Sequence, residues 1–308
     1  MEFRNLGSTG LRVSAVGIGC NNFGRRCDAD STRAVVSAAV TAGINFFDTA
    51  DIYGPRGLSE EYLGLALKKH ARHDLVIASK FGGPMGDGEL MKGGSRRYIM
   101  HAVDESLRRL GTDYIDLYQQ HFPDTQTSFE ETLSALDDVV RAGKVRYIGH
   151  SNYTGWQIAH ADWIGKSGTR FVTAQNEYSL LDRRIEREVI PACEAFGLGM
   201  LPYFPLASGL LTGKYTRNQQ APADTRLSGN ANALSDANFD IVEALSGFAL
   251  ERGHTLLELA MSWLACQGTV VSVIAGATGP GQVEANAAAI NWQLSPEEMS
   301  EVDRITRR

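Results

Sequence analysis

Short apolar runs alternate with longer amphipathic stretches along almost all of this 308-residue chain. Runs such as LVIASK (75–80) and VVSVIAG (270–276) are nearly continuous in apolar and small residues. A strand covered by helices on both faces needs such a composition, so these runs predict a parallel sheet. We predict eight strands, at residues 14–19, 45–50, 75–80, 114–121, 145–151, 172–178, 199–205 and 270–276.

Eight strand-and-helix units in a chain of this length predict an α/β fold of the (β/α)8 or TIM barrel type, which takes about 250 residues before insertions. We therefore expect one barrel domain over residues 1–308. A doubly wound Rossmann sheet is the weaker alternative. It would place Gly-x-Gly-x-x-Gly after the first strand, whereas GIGCNNFG (17–24) has its glycines at other spacings.

The sequence also predicts a hairpin and two long loops in addition to the simple barrel. Residues 3–13 predict an N-terminal β-hairpin that turns at GSTG (7–10). The stretches 82–94 and 209–240 are long for simple connections, and loops of that length are usually functional. We expect both to lie at the C-terminal face of the barrel, where they could cover a bound substrate and cofactor.

Two helix starts have clear signals. SFEE (128–131) has the Ser-x-x-Glu pattern of a capping box and predicts a helix that continues to about residue 140. SPEE (295–298) combines a capping serine, a first-turn proline and an acid, and predicts the start of a final helix.

Composition and charge argue against several classes of function. The formal net charge of −6 gives no electrostatic reason to expect nucleic acid or an anionic membrane as a partner. Scattered arginine pairs, such as Arg25 with Arg26, are interpreted as solvated surface. The four cysteines lack Cys-x-x-Cys spacing and nearby histidines, so neither a metal site nor a disulfide framework is predicted. We expect a cytoplasmic protein with reduced thiols and a small-molecule substrate.

Four side chains suited to acid–base chemistry stand at the ends of three neighbouring predicted strands. Asp48 lies near the end of the second strand, and Tyr53 lies in the loop after it. Lys80 ends the third strand and His121 ends the fourth. In a barrel these ends share one rim. Any one of these residues alone is more often structural than functional, but four together predict a site.

Acid catalysis next to a carbonyl is the chemistry that these residues support. A tyrosine hydroxyl has an ordinary pKa of about 10, so a neighbour must stabilise its anion if it is to donate a proton at neutral pH. Lys80 can do this, and a buried carboxylate such as Asp48 would keep the lysine charged. His121 could then hydrogen-bond the substrate oxygen and orient it.

Motifs along most of the chain resemble those of the aldo-keto reductase superfamily, NAD(P)H-dependent (β/α)8-barrel oxidoreductases. GINFFDTADIYG (43–54) resembles its Asp-Thr-Ala-x-x-Tyr-Gly signature, and SLRRLGTDYIDLYQQHFPD (106–124) resembles the signature that ends in His-x-Pro-Asp. IASK (77–80) supplies the lysine. The resemblance implies a catalytic tetrad with Tyr53 as general acid, formed by Asp48, Tyr53, Lys80 and His121.

The resemblance also implies a cofactor site. GHSNY (149–153), YFPLASGLLTGKY (203–215) and IAGATGPGQVEAN (274–286) resemble the segments that hold the nicotinamide, the pyrophosphate and the adenosine. The end of the first strand is expected to floor this site. The residues implied as cofactor-binding are Gly19, Cys20, Asn21, Asp48, Ser151, Asn152, Gln175, Tyr203, Phe204, Pro205, Leu206, Ser208, Gly209, Leu211, Lys214, Gly276, Thr278, Gln282 and Asn286.

One departure from the family pattern concerns the cofactor. Many relatives place an arginine in the adenosine segment to bind the 2′-phosphate of NADP. This chain has Gly276, Ala277, Gly279 and Gln282 there. The resemblance implies NADPH and NADP+, and NADH is the alternative.

The overall expectation is an enzyme that transfers hydride between the nicotinamide and an aldehyde or ketone, or oxidises an alcohol in reverse. Tyr53, Phe23, His121 and Phe122 are expected to line its substrate pocket. The alternative is a redox-sensing regulatory module with little turnover, because the β subunits of potassium channels resemble the same family. An unrelated metal-dependent barrel enzyme would need a larger cluster of ligands than His121 with Asp124.

Overall fold

The structure is a computed structural model that describes residues 1–219, 227 and 234–307. Two antiparallel strands, β1 (Phe3–Asn5) and β2 (Arg12–Ser14), form the predicted hairpin. Eight strands then form one parallel sheet, in which β10 pairs with β3 and the others pair in chain order. They are β3 (Val16–Gly19), β4 (Phe46–Asp48), β5 (Val76–Phe81), β6 (Ile115–Gln120), β7 (Val145–Ser151), β8 (Phe171–Gln175), β9 (Gly199–Met200) and β10 (Val273–Gly276).

The sheet closes on itself between β9 and β10. The backbone N–H of Met200 donates to the carbonyl of Thr269 at 2.8 Å, and that of Ile274 donates to the carbonyl of Pro202 at 3.0 Å. These bonds complete the predicted (β/α)8 barrel. The predicted strand 199–205 is shorter than expected, because Pro202 and Pro205 have no N–H to continue a ladder.

The helices of the described residues cover the outside of the sheet. They are α1 (Ala29–Thr41), α2 (Leu58–Leu67), α3 (Arg96–Leu110), α4 (Phe129–Arg141), α5 (Gly155–Gly165), α6 (Val189–Phe196), α7 (Asp236–Glu251), α8 (Leu256–Ala265), α9 (Pro280–Ala288) and α10 (Pro296–Thr306). None of these helices is both long and apolar enough to cross a lipid bilayer.

Both predicted helix starts are present, although one is capped differently. Ser128 accepts a hydrogen bond from the Glu131 backbone at 3.2 Å, but the Glu131 side chain accepts from the Arg96 backbone instead of completing a capping box. Ser295 and Glu298 form the complete reciprocal box at α10. Each cap satisfies backbone donors that the first helical turn leaves unpaired.

Apolar side chains form two layers, one inside the barrel and one between the sheet and the helices. Phe46 belongs to the inner layer, and Phe47 belongs to the outer one, because successive side chains of a strand point to opposite faces. Leu6 and Val13 of the hairpin also belong to the inner layer. The hairpin therefore closes the barrel at one end and leaves the other end for a site.

The long connection 82–94 is an ordered loop tied to its own ends. The backbone N–H of Met85 donates to the carbonyl of Met91, and that of Gly93 donates to the carbonyl of Gly82, both at 3.0 Å. The Gly94 N–H donates to the Asp124 carboxylate at 2.7 Å. The second long stretch, 209–240, is only partly a loop. A kinked 3-10 segment covers Ala207–Thr212, α7 begins at Asp236, and residues 220–226 and 228–233 lie outside the described part.

His150 in β7 makes the fold sensitive to acid. It is fully buried and stacks on Tyr153 with ring centroids 4.4 Å apart, and neither ring nitrogen has a hydrogen-bond partner among the described residues. Burial lowers the pKa of His150 to about 3. As the pH falls below about 6.5, His150 therefore takes up a proton in the unfolded chain but stays neutral in the folded chain.

Acidification from about pH 7.5 to about pH 5 should therefore cost about 2 kcal/mol of unfolding free energy at His150. We expect the variant His150→Phe to lose about 2 kcal/mol less than the wild type over this range. Urea unfolding at both pH values measures the difference. An identical pH dependence in the two proteins would contradict the assignment.

Candidate active site

A cavity of about 510 Å³ opens at the C-terminal ends of the barrel strands. This volume lies within the usual range for small-molecule sites. Asp48 and Tyr53 line it from β4 and the following loop, and His121 lines it directly after β6. The cavity therefore lies on the rim that the sequence predicts for a barrel site.

A buried ion pair forms the base of the cavity. The Lys80 ammonium donates to the Asp48 carboxylate at 2.6 Å and to the Thr49 carbonyl at 2.9 Å. Gln119 and Gln175 each donate to the other carboxylate oxygen of Asp48 at 3.0 Å. Burial has the largest single effect on Lys80 and lowers its pKa, but the charges and hydrogen bonds of Asp48 and Tyr53 together outweigh burial and raise the pKa above its ordinary value. Lys80 is therefore charged at neutral pH.

Tyr53 stands above this pair. The Lys80 ammonium is 3.4 Å from the Tyr53 hydroxyl. Burial raises the pKa of Tyr53, and the lysine charge opposes that rise. The hydroxyl therefore keeps its proton at neutral pH and faces a cation that would stabilise its anion. Behind it, Gly54 turns the chain with φ 64°, where a side chain would clash with the Phe23 carbonyl at 2.9 Å.

His121 faces Tyr53 across the rim. Its ring meets the Tyr53 ring edge to face at 5.6 Å and stacks on Phe122 at 4.3 Å. Burial, with a smaller contribution from the Lys80 charge, lowers the pKa of His121 to about 2. The imidazole is therefore neutral, and its Nδ1 has no hydrogen-bond partner among the described residues. A neutral imidazole can donate one hydrogen bond to a substrate oxygen.

An amide network borders the same rim. Asn152 donates from its side chain to the His121 carbonyl at 3.0 Å and to the Ser151 hydroxyl at 3.1 Å. Its amide oxygen accepts a bond from the Tyr203 hydroxyl at 2.9 Å. The Ser151 hydroxyl donates to the Gln175 carbonyl at 2.8 Å. Ser151, Asn152 and Gln175 are thus held together as one polar wall.

Backbone strain is concentrated at this cavity. Six non-glycine residues of the described chain have positive φ, and three of them, Asn152, Phe204 and Ser208, line the cavity. Such conformations cost of order 1–3 kcal/mol each and cluster at ligand-binding sites.

The Lys214 ammonium reaches the turn at Gly209, and no described carboxylate lies within ion-pair distance of it. This turn suits a phosphate group.

The far end of the cavity is formed by the chain after β10. Thr278 donates to the Gln282 side-chain oxygen through its backbone at 2.8 Å and through its hydroxyl at 3.2 Å. Asn286 is buried and also lines the cavity. The cavity is lined by polar groups from the wall at Ser151, Asn152 and Gln175, from the turn at Lys214 and from the chain after β10, so the residues present suit the implied cofactor.

Most of the predicted site residues line this one cavity. They are Gly19, Asn21, Asp48, Tyr53, His121, Phe122, Ser151, Asn152, Gln175, Tyr203, Phe204, Pro205, Leu206, Ser208, Gly209, Lys214, Gly276, Thr278, Gln282 and Asn286. Lys80 is buried below the cavity wall, and its ammonium contacts the hydroxyl of Tyr53, which lines the cavity.

Three other predicted site residues do not line the cavity. Phe23 is fully buried in the outer core layer and does not line the cavity. Cys20 and Leu211 are also fully buried, and their side chains do not line the cavity. The chain bends into a 3-10 turn at Cys20–Asn22, and the side chains of Cys20 and Phe23 lie in the outer core layer. Residues 82–94 do not line the cavity either.

Several lining residues were missed by the sequence analysis, among them Asn22, Arg26, Thr212 and Leu257. Arg26 was interpreted as solvated surface. Its link to the site depends on contacts between residues about 250 positions apart, such as the bond from Asn22 to the Ala277 carbonyl. Among the residues that the structure describes, no three His, Cys, Asp or Glu side chains are grouped as metal ligands.

Sequence comparison with known proteins gives the family that the motifs resemble. The Aldo/keto reductase family matches residues 15–307. The chain is 34% identical over 320 residues to the L-glyceraldehyde 3-phosphate reductase of Escherichia coli strain K12, covering 99% of this chain and 92% of that protein. It is 36% identical over 327 residues to a probable voltage-gated potassium channel subunit beta of rice, Oryza sativa, covering 100% of this chain and 97% of that protein.

A third relative, probable aldo-keto reductase 1 of Glycine max, is 34% identical over 305 residues, covering 96% of this chain and 86% of that protein. Matches of this identity and coverage, together with the family match over nearly the whole length, support the conclusion that this chain is an oxidoreductase. The chain belongs to the aldo/keto reductase family.

Proposed function

We propose that this chain is an NADPH-dependent carbonyl reductase that converts an aldehyde or ketone to an alcohol and oxidises the alcohol in reverse. The observation that carries the proposal is the contact between the Tyr53 hydroxyl and the charged Lys80, on a rim that His121 shares. This arrangement provides a protonated hydroxyl, a cation that stabilises its anion, and a neutral hydrogen-bond donor for one oxygen atom.

Each residue of the site has a separate task. Tyr53 donates its proton to the carbonyl oxygen of the substrate, and Lys80 stabilises the tyrosinate that forms. Asp48 keeps Lys80 charged in its buried position. His121 orients the substrate oxygen toward Tyr53. Phe122, which is half exposed beside His121, forms an apolar wall of the pocket.

The remaining cavity residues would hold the cofactor. The polar wall of Ser151, Asn152 and Gln175 would hold the nicotinamide carboxamide, and Tyr203 would cover the ring. The strained turn at 204–209 and Lys214 would bind the pyrophosphate, and the 276–286 segment would bind the adenosine. When bound, the reduced nicotinamide supplies the hydride. We propose a cytoplasmic location, and the free thiols of all four cysteines support it.

The rival function is a regulatory module that binds the cofactor and turns over little. It is favoured by the relatives from Oryza sativa and Arabidopsis thaliana that are named as probable potassium channel β subunits. The complete set of Asp48, Tyr53, Lys80 and His121 favours the enzyme instead.

A turnover assay separates the two functions. The wild-type protein is given NADPH or NADH with a panel of aldehydes and ketones, including glyceraldehyde 3-phosphate because one relative is named for it. We expect turnover with NADPH on the order of 10 per second on a good substrate. NADPH binding without turnover on any carbonyl would favour the regulatory module, and equal or better use of NADH would contradict the cofactor proposal.

A further inference from the structure

Arg26 is a cation at the adenosine end of the cavity. Its side chain is exposed and lines the cavity, and no described carboxylate lies within ion-pair distance. Arg26 and Lys214 are the two cationic side chains among the described lining residues. The one carboxylate among those residues, Asp48, is already paired with Lys80. The described part of the cavity therefore has two cations available for anionic groups.

The loop that carries Arg26 is fixed against the chain after β10. The Asn22 side chain donates to the Ala277 carbonyl at 3.2 Å, and the Arg26 backbone donates to the Asn22 carbonyl at 2.9 Å. The Cys27 thiol lies 3.9 Å from the carbonyls of both Ala277 and Thr278. Helix α1, which starts just after this loop, packs on α9. Arg26 is thus held next to the 276–282 segment.

This segment has no positive charge of its own. Residues 274–288 contain no lysine, arginine or histidine. The side-chain oxygen of Gln282 is occupied by two bonds from Thr278. A phosphate monoester placed here would find hydroxyl and amide groups, but a phosphate dianion is bound most strongly by a cation that donates two parallel bonds. A guanidinium from another part of the chain could provide that pair.

We propose that Arg26 binds the 2′-phosphate of NADPH and makes this site prefer NADPH to NADH. The inference rests on the proposed function, because it requires the adenosine to lie along the 276–286 segment. Lys214 lies at the other turn, beside Gly209, and is left for the pyrophosphate that both cofactors share. Arg26 acts on specificity only, since NADH has no group for it to bind.

The test is a fluorescence titration of the wild type, Arg26→Ala and Arg25→Ala with NADPH and with NADH. Arg25 is the matched control, because it is exposed and adjacent but does not line the cavity. We expect Arg26→Ala to weaken NADPH binding by about tenfold or more and to change NADH binding by less than about twofold. Arg25→Ala should leave both dissociation constants unchanged.

A second titration uses two ligands that lack the nicotinamide. Adenosine 2′,5′-bisphosphate should lose affinity for Arg26→Ala as NADPH does, and adenosine 5′-monophosphate should not. An equal loss for NADPH and NADH, or no loss for either, would overturn the role of Arg26. A wild type that binds neither dinucleotide would instead overturn the proposed function, so the two failures are distinguishable.

Discussion

Tyr53→Phe should lower kcat for carbonyl reduction by about a thousandfold while the dissociation constant of NADPH stays unchanged. General acid catalysis by a positioned side chain is worth about 10²- to 10⁴-fold, and the phenyl ring of the variant has no acidic proton to donate. The aromatic ring and its packing against His121 are kept. Steady-state kinetics on the best substrate of the panel, with a parallel cofactor titration, measures both quantities.

The matched control is Tyr62→Phe in α2, which makes the same change away from the cavity. It should leave kcat within about twofold of the wild type, as surface changes away from a site usually do. Near-wild-type turnover in Tyr53→Phe, with NADPH still bound, would show that another group donates the proton.

Lys80→Met should damage both activity and stability. Activity should fall by about a hundredfold or more, because the tyrosinate loses the cation that stabilises it. The free energy of unfolding should fall by about 3–5 kcal/mol, because the buried Asp48 carboxylate is left without its charge partner. Kinetics and urea unfolding on the same preparations measure the two losses.

The double variant Asp48→Asn with Lys80→Met distinguishes these effects. The amide oxygen introduced by Asp48→Asn can still accept the hydrogen bonds from Gln119 and Gln175, and neither position 48 nor position 80 then carries an unpaired buried charge. We expect it to regain most of the lost stability and none of the lost activity. Activity that returned together with stability would mean that Lys80 has only a structural role.

Asp48→Asn alone should change the pH profile. Without the charge of Asp48 to offset it, burial lowers the pKa of Lys80. Lys80 would then lose its proton as the pH rises through that lowered pKa, so activity should decline toward alkaline pH at values where the wild type is still active. The kinetic assay used for Lys80→Met, repeated across a range of pH, measures this decline.

The sequence was sufficient to predict the barrel and the grouping of four side chains on its rim. The run at 75–80 is apolar enough to indicate a buried strand without tertiary information, and parallel strands necessarily bring their carboxyl ends to one edge. The grouping of Lys80 with Asp48 and Tyr53 follows from that rule alone, although the roles of these residues stay predictions.

Some details of the site depend on contacts across the chain and cannot be predicted from local sequence. Nothing local indicates that the 3-10 turn after β3 places Phe23 in the core, or that Arg26 beside it reaches the cavity. Both outcomes depend on packing of residues 20–27 against residues 277–278, which local periodicity does not encode. Likewise, the length of β9 is set by prolines within an otherwise strand-like run.

The most direct test of the central claim follows a labelled hydrogen into the product. The wild type is given an accepted aldehyde and NADPH in which both hydrogens at C4 of the nicotinamide are deuterium, and the alcohol is analysed by mass spectrometry. We expect deuterium on the carbinol carbon and one alcohol formed for each NADPH consumed. Alcohol without deuterium, or NADPH bound but not consumed, would contradict the central claim.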